Sequence, residues 1–456
     1  MTETRVPPGP KVFFPPYLIN KFRSAPLAFI RKMTSAYGDN VYFNVLGTRI
    51  YLFNSPESIQ QILITHQRSF HKGRSLQRTK VLVGDGLLTS EGELHLRQRR
   101  MIQPMFHRQY VAGYADTMVA LTKRFINRWQ DGAALDIHSE ISHLTLSIST
   151  KTLFNMDLED EVNELGEMIA TVITSYTYTI GPMGALRMLL PLPYTKRILA
   201  ARARLESTIQ AMIAKRRTEG NQGDLLSMLI AAQDQEDEGR RMSDKQVRDE
   251  ALTFFLGGNE TIANALTWTF YLLSQNPDVA RQLYAELDQV LQGRDPVYAD
   301  IEALSYTRMV LSESLRLYPP LWLTVRTAIE DVEISGYLLP KGSSVILCQW
   351  VAHHNERYYP DPFKFDPDRW TLDEITSRPK MAYFPFGGGA RGCIGEPFAW
   401  MEGILLLATI AQKWEFRLEP GFQVDLLPEL TLRPKHGMRM ILVRREKGKS
   451  DQENHR

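Results

Sequence analysis

The sequence predicts a mainly α fold with a minor β portion. Three features carry that expectation. From about Tyr110 to Gln292 the apolar spacing is mostly helical. The strand-like stretches, "VYFNVLGTRIYLFN" and "VEISGYLLPKGSSVILC", are short and far apart. Strands and helices do not alternate regularly, which argues against a doubly wound parallel sheet.

The elements follow in order. The start, "MTETRVPPGPKVFFPPYLINKF", contains neither a secretory leader nor the roughly 20 apolar residues of a membrane span. The first alternating stretch breaks at Gly47-Thr48 and reads as a β-hairpin. "SPESIQQILITHQ" opens a helix, with Ser55 as N-cap and Pro56 at the first helical position. "LPLPY" and the acidic "DQEDEG" interrupt the helical block. Ser243 and Gln246 form a capping box before a long helix that Asn276-Pro277 ends. The middle of that helix is unusual. Gly257 and Gly258 each cost about 1 kcal/mol relative to alanine. Polar Asn259, Glu260 and Thr261 follow, between apolar neighbours. A last helix reads from "EPFAWMEGILLLATIAQKW", and the chain closes on the polar "RREKGKSDQENHR".

Composition narrows the function classes. The chain has 456 residues, 43% of them hydrophobic, enough for a large core. Its 54 basic and 52 acidic residues give a net charge of +2, so no basic field advertises nucleic acid. Two cysteines cannot form a disulfide framework and are too few for a cysteine-rich zinc site. A reducing, cytoplasmic setting with no transmembrane anchor is expected.

The stretch "FPFGGGARGCIGEP", Phe384 to Pro397, holds the chemistry. Gly387, Gly389 and Gly392 match G-x-G-x-x-G, which would suit a dinucleotide-dependent dehydrogenase. That fingerprint should follow a strand inside a βαβ unit, and here Pro385 interrupts the preceding segment. A phosphate loop fails because Cys393-Ile394 stands where Lys-Ser/Thr is required. The other use of the loop is to hold Cys393. A helix begins just after it, so backbone N–H groups and the helix dipole favour a thiolate. Flanking glycines allow a flat ligand to approach. The ordinary alternative is an inert buried thiol, which suits Cys348 in "SVILC".

"FGGGARGCIG", Phe386 to Gly395, resembles the haem-binding loop of the cytochrome P-450 family, F-G-x-G-x-R-x-C-x-G, with every fixed position filled. Further motifs follow the family's order and make the chain similar to its soluble bacterial type. The resemblance implies a triangular, helix-rich single domain over residues 25–445, with an N-terminal extension (1–24) and a polar tail (446–456). It implies haem b with Cys393 as axial thiolate, Phe386 and Gly395 belonging to the loop. "GELHLRQRRMIQPMF" resembles the segment whose aromatic or histidine and arginine bind haem propionates, here His95 and Arg99. Arg326 and Arg391 match further propionate positions. The alternative for such cations is a solvated face. "ESLRLYPP" and "DPFKFDPDRW" resemble the structural trio of the family, giving Glu313, Arg316 and Arg369.

"GGNET" resembles the oxygen-activation motif, which makes Glu260 and Thr261 the catalytic acid–alcohol pair. The alternative for Thr261 is a hydroxyl bonded back to the preceding turn. Ile262 departs from the family, where a second hydroxyl is common. Substrate-contact regions map onto Leu87, Leu88, Phe254, Gly257, Leu321, Trp322 and Leu323, and onto the stretch near "TSYTYTIGP"; core packing is the alternative for each. The implied reaction inserts one oxygen atom from O2 into an apolar, lipid-like or terpenoid molecule, by hydroxylation or epoxidation. A peroxide-using or rearranging haem-thiolate enzyme is the rival, and Glu260-Thr261 argues against it. Electrons would come from a separate ferredoxin or flavodoxin with its reductase, steered by Arg97, Arg100, Arg108 and Lys413. Arg74, Arg78 and Lys80 read as an entrance for a carboxylate or as solvated surface charge.

Overall fold

The computed structural model describes residues 6–10, 15–155, 184–234 and 239–445, with 166–168, 170–172, 174–175 and 178. Most of "TSYTYTIGP" and the tail 446–456 lie outside the described residues.

The amino-terminal segment is part of the packed body from Pro15 onward. Helices α1 (Pro15–Ser24) and α2 (Pro26–Tyr37) bury Leu18, Leu27, Ile30 and Met33 in a cluster with Trp322, Cys348 and Trp350. The Pro8 carbonyl accepts from Tyr42 N at 3.0 Å. The boundary expected at residue 24 therefore falls inside a packed unit.

The hairpin pairs β1 (Asn40–Val45) with β2 (Thr48–Phe53). Leu46 and Gly47 turn it with φ of 51° and 82°, the mirror-image turn that matches strand twist. Helix α3 (Pro56–Gln60) starts at the Ser55 cap and widens into a π-turn over Gln61–Thr65. β3 (Phe70–Lys72) follows. Helix α4 (Gly92–Ile102) comes next, and β4 (Ala134–Asp136) leads into α5 (Ile137–Phe154). After α6 (Pro193–Glu219), helix α7 (Asp244–Gln275) runs for 32 residues from the expected capping box to Asn276. At about 1.5 Å per residue it spans roughly 48 Å.

Helix α8 (Ser305–Leu317) precedes β5 (Thr324–Ala328) and β6 (Ser344–Leu347). These complete a five-stranded sheet in the order β1-β2-β6-β5-β3. Helix α9 (Glu396–Ala411) is apolar on nearly every face and is therefore buried. β7 (Trp414–Leu418), the ladder of β8 (Leu426–Pro428) with β9 (Leu432–Pro434), and β10 (Arg439–Arg444) end the fold. β10 lies between β7 and β4.

The main core joins α5, α7, α8 and α9. Thr145 of α5 donates to Asn259 Oδ1 of α7 at 2.7 Å, and Phe154 stacks on Phe255 with centroids 4.0 Å apart. No helix among the described residues is long and apolar enough to cross a membrane.

Candidate active site

The cysteine loop is held by the chain around it. Cys393 N donates to the Phe386 carbonyl at 2.8 Å, closing the loop just before α9 begins. Gly387 and Gly389 adopt φ of 73° and 66°, which favours glycine. At Gly389 the tightest constraint is protein, because a Cβ there would lie 2.0 Å from the Leu63 carbonyl. The π-turn ending at Thr65 brings Leu63 to that spot, and Gln67 Oε1 accepts from Ala390 N at 2.6 Å. This glycine serves the packing of the loop.

The Cys393 side chain is solvent-accessible although protein surrounds it. Burial pushes its thiol up to about 11, opposed by the Gly395 N–H and by Arg99. The Gly395 N–H acts in the direction expected of a helix start, and burial outweighs it. A metal would ionise the sulfur, since coordination deprotonates a thiol. Cys348 is fully buried, pushed up to about 12, and its Sγ lies 3.4 Å from the Trp322 carbonyl. That is the inert thiol expected.

Phe106 connects this loop to α7. A Cβ at Gly395 would meet its ring at 3.9 Å, and the ring lies 5.4 Å from Phe254. On α7 the two glycines differ. A Cβ at Gly258 would stand in contact with Ser149 Oγ of α5, at 3.4 Å. A Cβ at Gly257 would meet nothing within 4 Å, and Gly257 is accessible in the middle of a buried helix. Thr261 Oγ1 donates back to the Gly257 carbonyl at 2.7 Å, the self-satisfied arrangement weighed from sequence. Glu260 Oε1 accepts from Thr431 Oγ1 at 2.7 Å. Burial raises the Glu260 carboxyl above its ordinary range, against hydrogen bonds from Thr431 and Asn264 and the nearby Arg433.

A buried basic cluster adjoins the loop. Arg391 NH2 donates to Glu91 Oε2 at 2.6 Å, while its Nε has no partner. Arg326 donates to the Val325 carbonyl at 3.1 Å and has no carboxylate at ion-pair distance among the described residues. Burial and Arg391 lower its guanidinium to about 10. Lys72, absent from the sequence reading, joins them. Its Nζ donates to the carbonyls of Leu87 (2.7 Å) and Ser90 (2.8 Å), and burial lowers it to about 7. Its backbone N–H also donates to Glu91. Three cations thus cluster around Glu91, with Glu250 adding a weaker pull on Lys72.

His95 lies 3.4 Å from Lys72 Nζ through Nδ1 and 3.3 Å from the Ala390 carbonyl through Nε2. Burial lowers it to about 4, so it is a neutral donor near pH 7 rather than the cation expected. Arg99 donates to the Gly392 carbonyl at 2.7 Å and senses the Cys393 sulfur. It sits on the cysteine side.

Glu313, Arg316 and Arg369 come together, with Trp370 as a fourth member. Arg316 grips Glu313 through two bonds of 2.8 and 2.7 Å, both residues fully buried. Arg369 Nε stands 3.4 Å from Glu313 Oε1, and Trp370 Nε1 donates to Oε2 at 2.9 Å. Arg316 also donates to the carbonyls of His353 and Pro362. His353 Nε2 accepts from Phe384 N at 3.0 Å, which ties the trio to the cysteine loop. "DRW" could have revealed Trp370 as an indole donor beside Arg369; nothing in local spacing marks Lys72 or Glu91.

Expected pocket residues divide. Leu87 and Phe254 are buried, Phe254 beside Phe106, and Leu87 N is held by Glu250 Oε2 at 2.8 Å. Leu88 and Leu321 are exposed. Trp322 packs in the amino-terminal cluster, donating to the Glu429 carbonyl at 2.8 Å, with Leu323 beside it. For these two the core alternative is the arrangement found. On the surface, Arg97 and Arg100 both pair with buried Asp234 at 3.0 Å, so they are not free steering charges. Arg108 is exposed and Lys413 half-buried. Lys80 pairs with Asp85, and Arg74 reaches the Gly342 carbonyl at 3.5 Å.

The family model "Cytochrome P-450" matches residues 7–441. The chain belongs to the cytochrome P-450 family. It is 39% identical to cyclooctatin synthase of Streptomyces melanosporofaciens, over 89% of each chain. It is 37% identical to cyclooctat-9-en-7-ol 5-monooxygenase of the same organism, over 87% of this chain and 86% of the relative. Pentalenene oxygenase of Streptomyces avermitilis is 34% identical over 93% of this chain and 94% of its own. The crystal structure of the cytochrome P450DA haem domain superposes with a TM-score of 0.87 at 26% identity, covering 97% of this chain and 99% of that one. This cytochrome P-450 is a monooxygenase, and its family implies a haem-thiolate cofactor, O2, a substrate and a redox partner.

Proposed function

We propose that this cytochrome P-450 binds haem b through the Cys393 thiolate and hydroxylates or epoxidises a terpenoid-like molecule. The single observation that carries the cofactor reading is the charge excess beside Cys393. Lys72 and Arg326 are buried and Arg391 is half-buried, with Glu91 the one carboxylate hydrogen-bonded to them among the described residues and Glu250 adding a weaker pull on Lys72. Burying unpaired cations is costly, so the cluster calls for anions. The two carboxylates of haem meet that demand, with His95 beside the cluster, its one N–H directed at the Ala390 carbonyl. Arg99, the Gly395 N–H and the start of α9 stabilise the sulfur's negative charge. When bound, a haem-thiolate centre supplies O2 activation, the thiolate favouring O–O cleavage.

The remaining roles belong to side chains of α7. Gly257 leaves the helix face open where a substrate or oxygen must pass. Thr261 holds a water or oxygen species by rotating its hydroxyl away from the Gly257 carbonyl. Glu260, whose carboxyl burial raises above its ordinary range, supplies protons there. Leu87, Phe106 and Phe254 offer an apolar wall. The names of the three relatives concern cyclooctatin, cyclooctat-9-en-7-ol and pentalenene, and an apolar wall suits molecules of that character. Electrons come from a separate ferredoxin or flavodoxin; Arg108 is the exposed cation on offer for docking.

The test is spectroscopic. The reduced carbon-monoxide complex should show the strongly red-shifted Soret band of a thiolate ligand, and Cys393→Ser should abolish it. An unaltered band in that variant sinks the assignment. Screening terpene hydrocarbons and alcohols for a high-spin shift of the ferric haem then identifies the substrate.

A further inference from the structure

Glu260 is the inner end of a chain of side chains that reaches the amino terminus of α5. Thr431, in the turn before β9, donates its hydroxyl to Glu260 Oε1 at 2.7 Å. Asn264 lies one turn beyond Glu260 on the same face of α7, fully buried. Its Nδ2 donates to Thr431 Oγ1 at 3.2 Å. Its Oδ1 lies 3.0 Å from His138 Nε2. The root of His138 is itself fixed. Asp136 caps α5, its Oδ1 accepting from His138 N at 3.1 Å and from Met438 N at 2.8 Å. Gly437 permits this, since a Cβ there would stand 2.3 Å from Asp136 Oδ2.

The donor directions follow from counting protons. A threonine hydroxyl has one proton, and here Glu260 takes it. Thr431 must therefore accept from the Asn264 amide nitrogen. The amide oxygen can only accept, so His138 carries its proton on Nε2. Every bond in the chain points from α5 toward Glu260. Oxygen Oε1 is then occupied as an acceptor, so a proton taken up by the carboxyl sits on Oε2.

We propose that Thr431, Asn264 and His138 are positioning residues that orient the Glu260 carboxyl and reserve its proton for Oε2. This rests on the monooxygenase reading, which gives Glu260 the acid's role. In the step, the Oε2–H bond breaks and the proton passes toward Thr261. The carboxylate left behind is stabilised by the Thr431 hydroxyl, then regains a proton from water. The charged groups facing this chain are Arg433, whose guanidinium donates to Glu429 Oε2 at 2.8 Å, together with Glu429 and Asp136.

Two readouts test the chain in the haem-loaded protein. The first needs no turnover. An infrared difference spectrum of Glu260→Gln against the parent, in the resting ferric state, isolates the carbonyl band of a protonated Glu260. Thr431→Val should move that band to higher frequency, and Thr431→Ser should restore it. The second is kinetic. Thr431→Val should leave the substrate-induced spin shift in place while kcat falls about tenfold, less than the roughly 10²–10⁴-fold of losing an acid outright. Electrons should divert to peroxide. His138→Gln keeps a donor near the Nε2 position and should behave like the parent; His138→Phe should resemble Thr431→Val. The idea is overturned by an absent carbonyl band, by a band unmoved in Thr431→Val, or by Thr431→Ser failing to rescue. Each of those results leaves the carbon-monoxide spectrum, and so the haem-thiolate reading, intact.

Discussion

Around Glu313 each buried charge meets its opposite. Two guanidiniums and an indole N–H converge on one carboxylate, and the remaining Arg316 donors reach backbone carbonyls. Around Lys72 the balance is open. Arg391 shares Glu91 with the Lys72 backbone, Arg391 Nε is unpartnered, and Arg326 has no acid among the described residues. Both clusters are buried and rich in arginine. Closure separates them: a closed cluster holds the fold together, and an open one calls for a ligand that carries negative charge.

Breaking the closed cluster should have the largest effect. Glu313→Ala strands Arg316 in the core, at about 3–5 kcal/mol. Thermal unfolding should show the loss with and without haem, and little folded protein should be recovered. A variant of parental stability would mean the trio is not structural. Removing a cation from the open cluster should do the reverse. Arg326→Leu should leave the haem-free protein at least as stable as the parent. Haem should bind about 10–100-fold more weakly, the range expected for losing a charge-assisted hydrogen bond of about 1.5–3 kcal/mol. Equal destabilisation of the haem-free protein by both variants would erase the distinction.

Lys72 sharpens the comparison through pH. Its amine is held down to about 7 in the folded protein. The unfolded amine titrates near about 10.4. Between those values the unfolded chain holds more protons, so haem-free stability should rise with pH across that window. Bound carboxylates favour the charged amine, so haem binding takes up a proton above pH 7 and weakens as pH rises further. Lys72→Met should flatten both dependences, measured by haem titration and by denaturant unfolding. The smallest effect belongs to the other thiol. Cys348→Ala should cost no more than about 1–2 kcal/mol and leave the carbon-monoxide spectrum unchanged.

Much of the site was legible in sequence because the signals are local. The capping box at Ser243 and Gln246, the stop at Asn276-Pro277 and the loop around Cys393 are each written within a few residues. Glu313 and Arg316 are three apart on one helix, so their pairing follows from helical geometry. The two glycines of α7 look alike in sequence and differ in the fold, one lying against Ser149 and the other facing open space. Trp322 reads as a pocket residue from its place in the family pattern, yet it packs against the amino-terminal helices.

Sequence by itself determined the helix ends and the family, since periodicity, caps and a contiguous loop depend on neighbours along the chain. Tertiary structure alone decided which charges are balanced and which way the protons point. Lys72 meets His95, and Thr431 meets Glu260 and Asn264, only because distant segments return to the same place. Burial then shifts their proton affinities, an effect that exists only once water has been excluded.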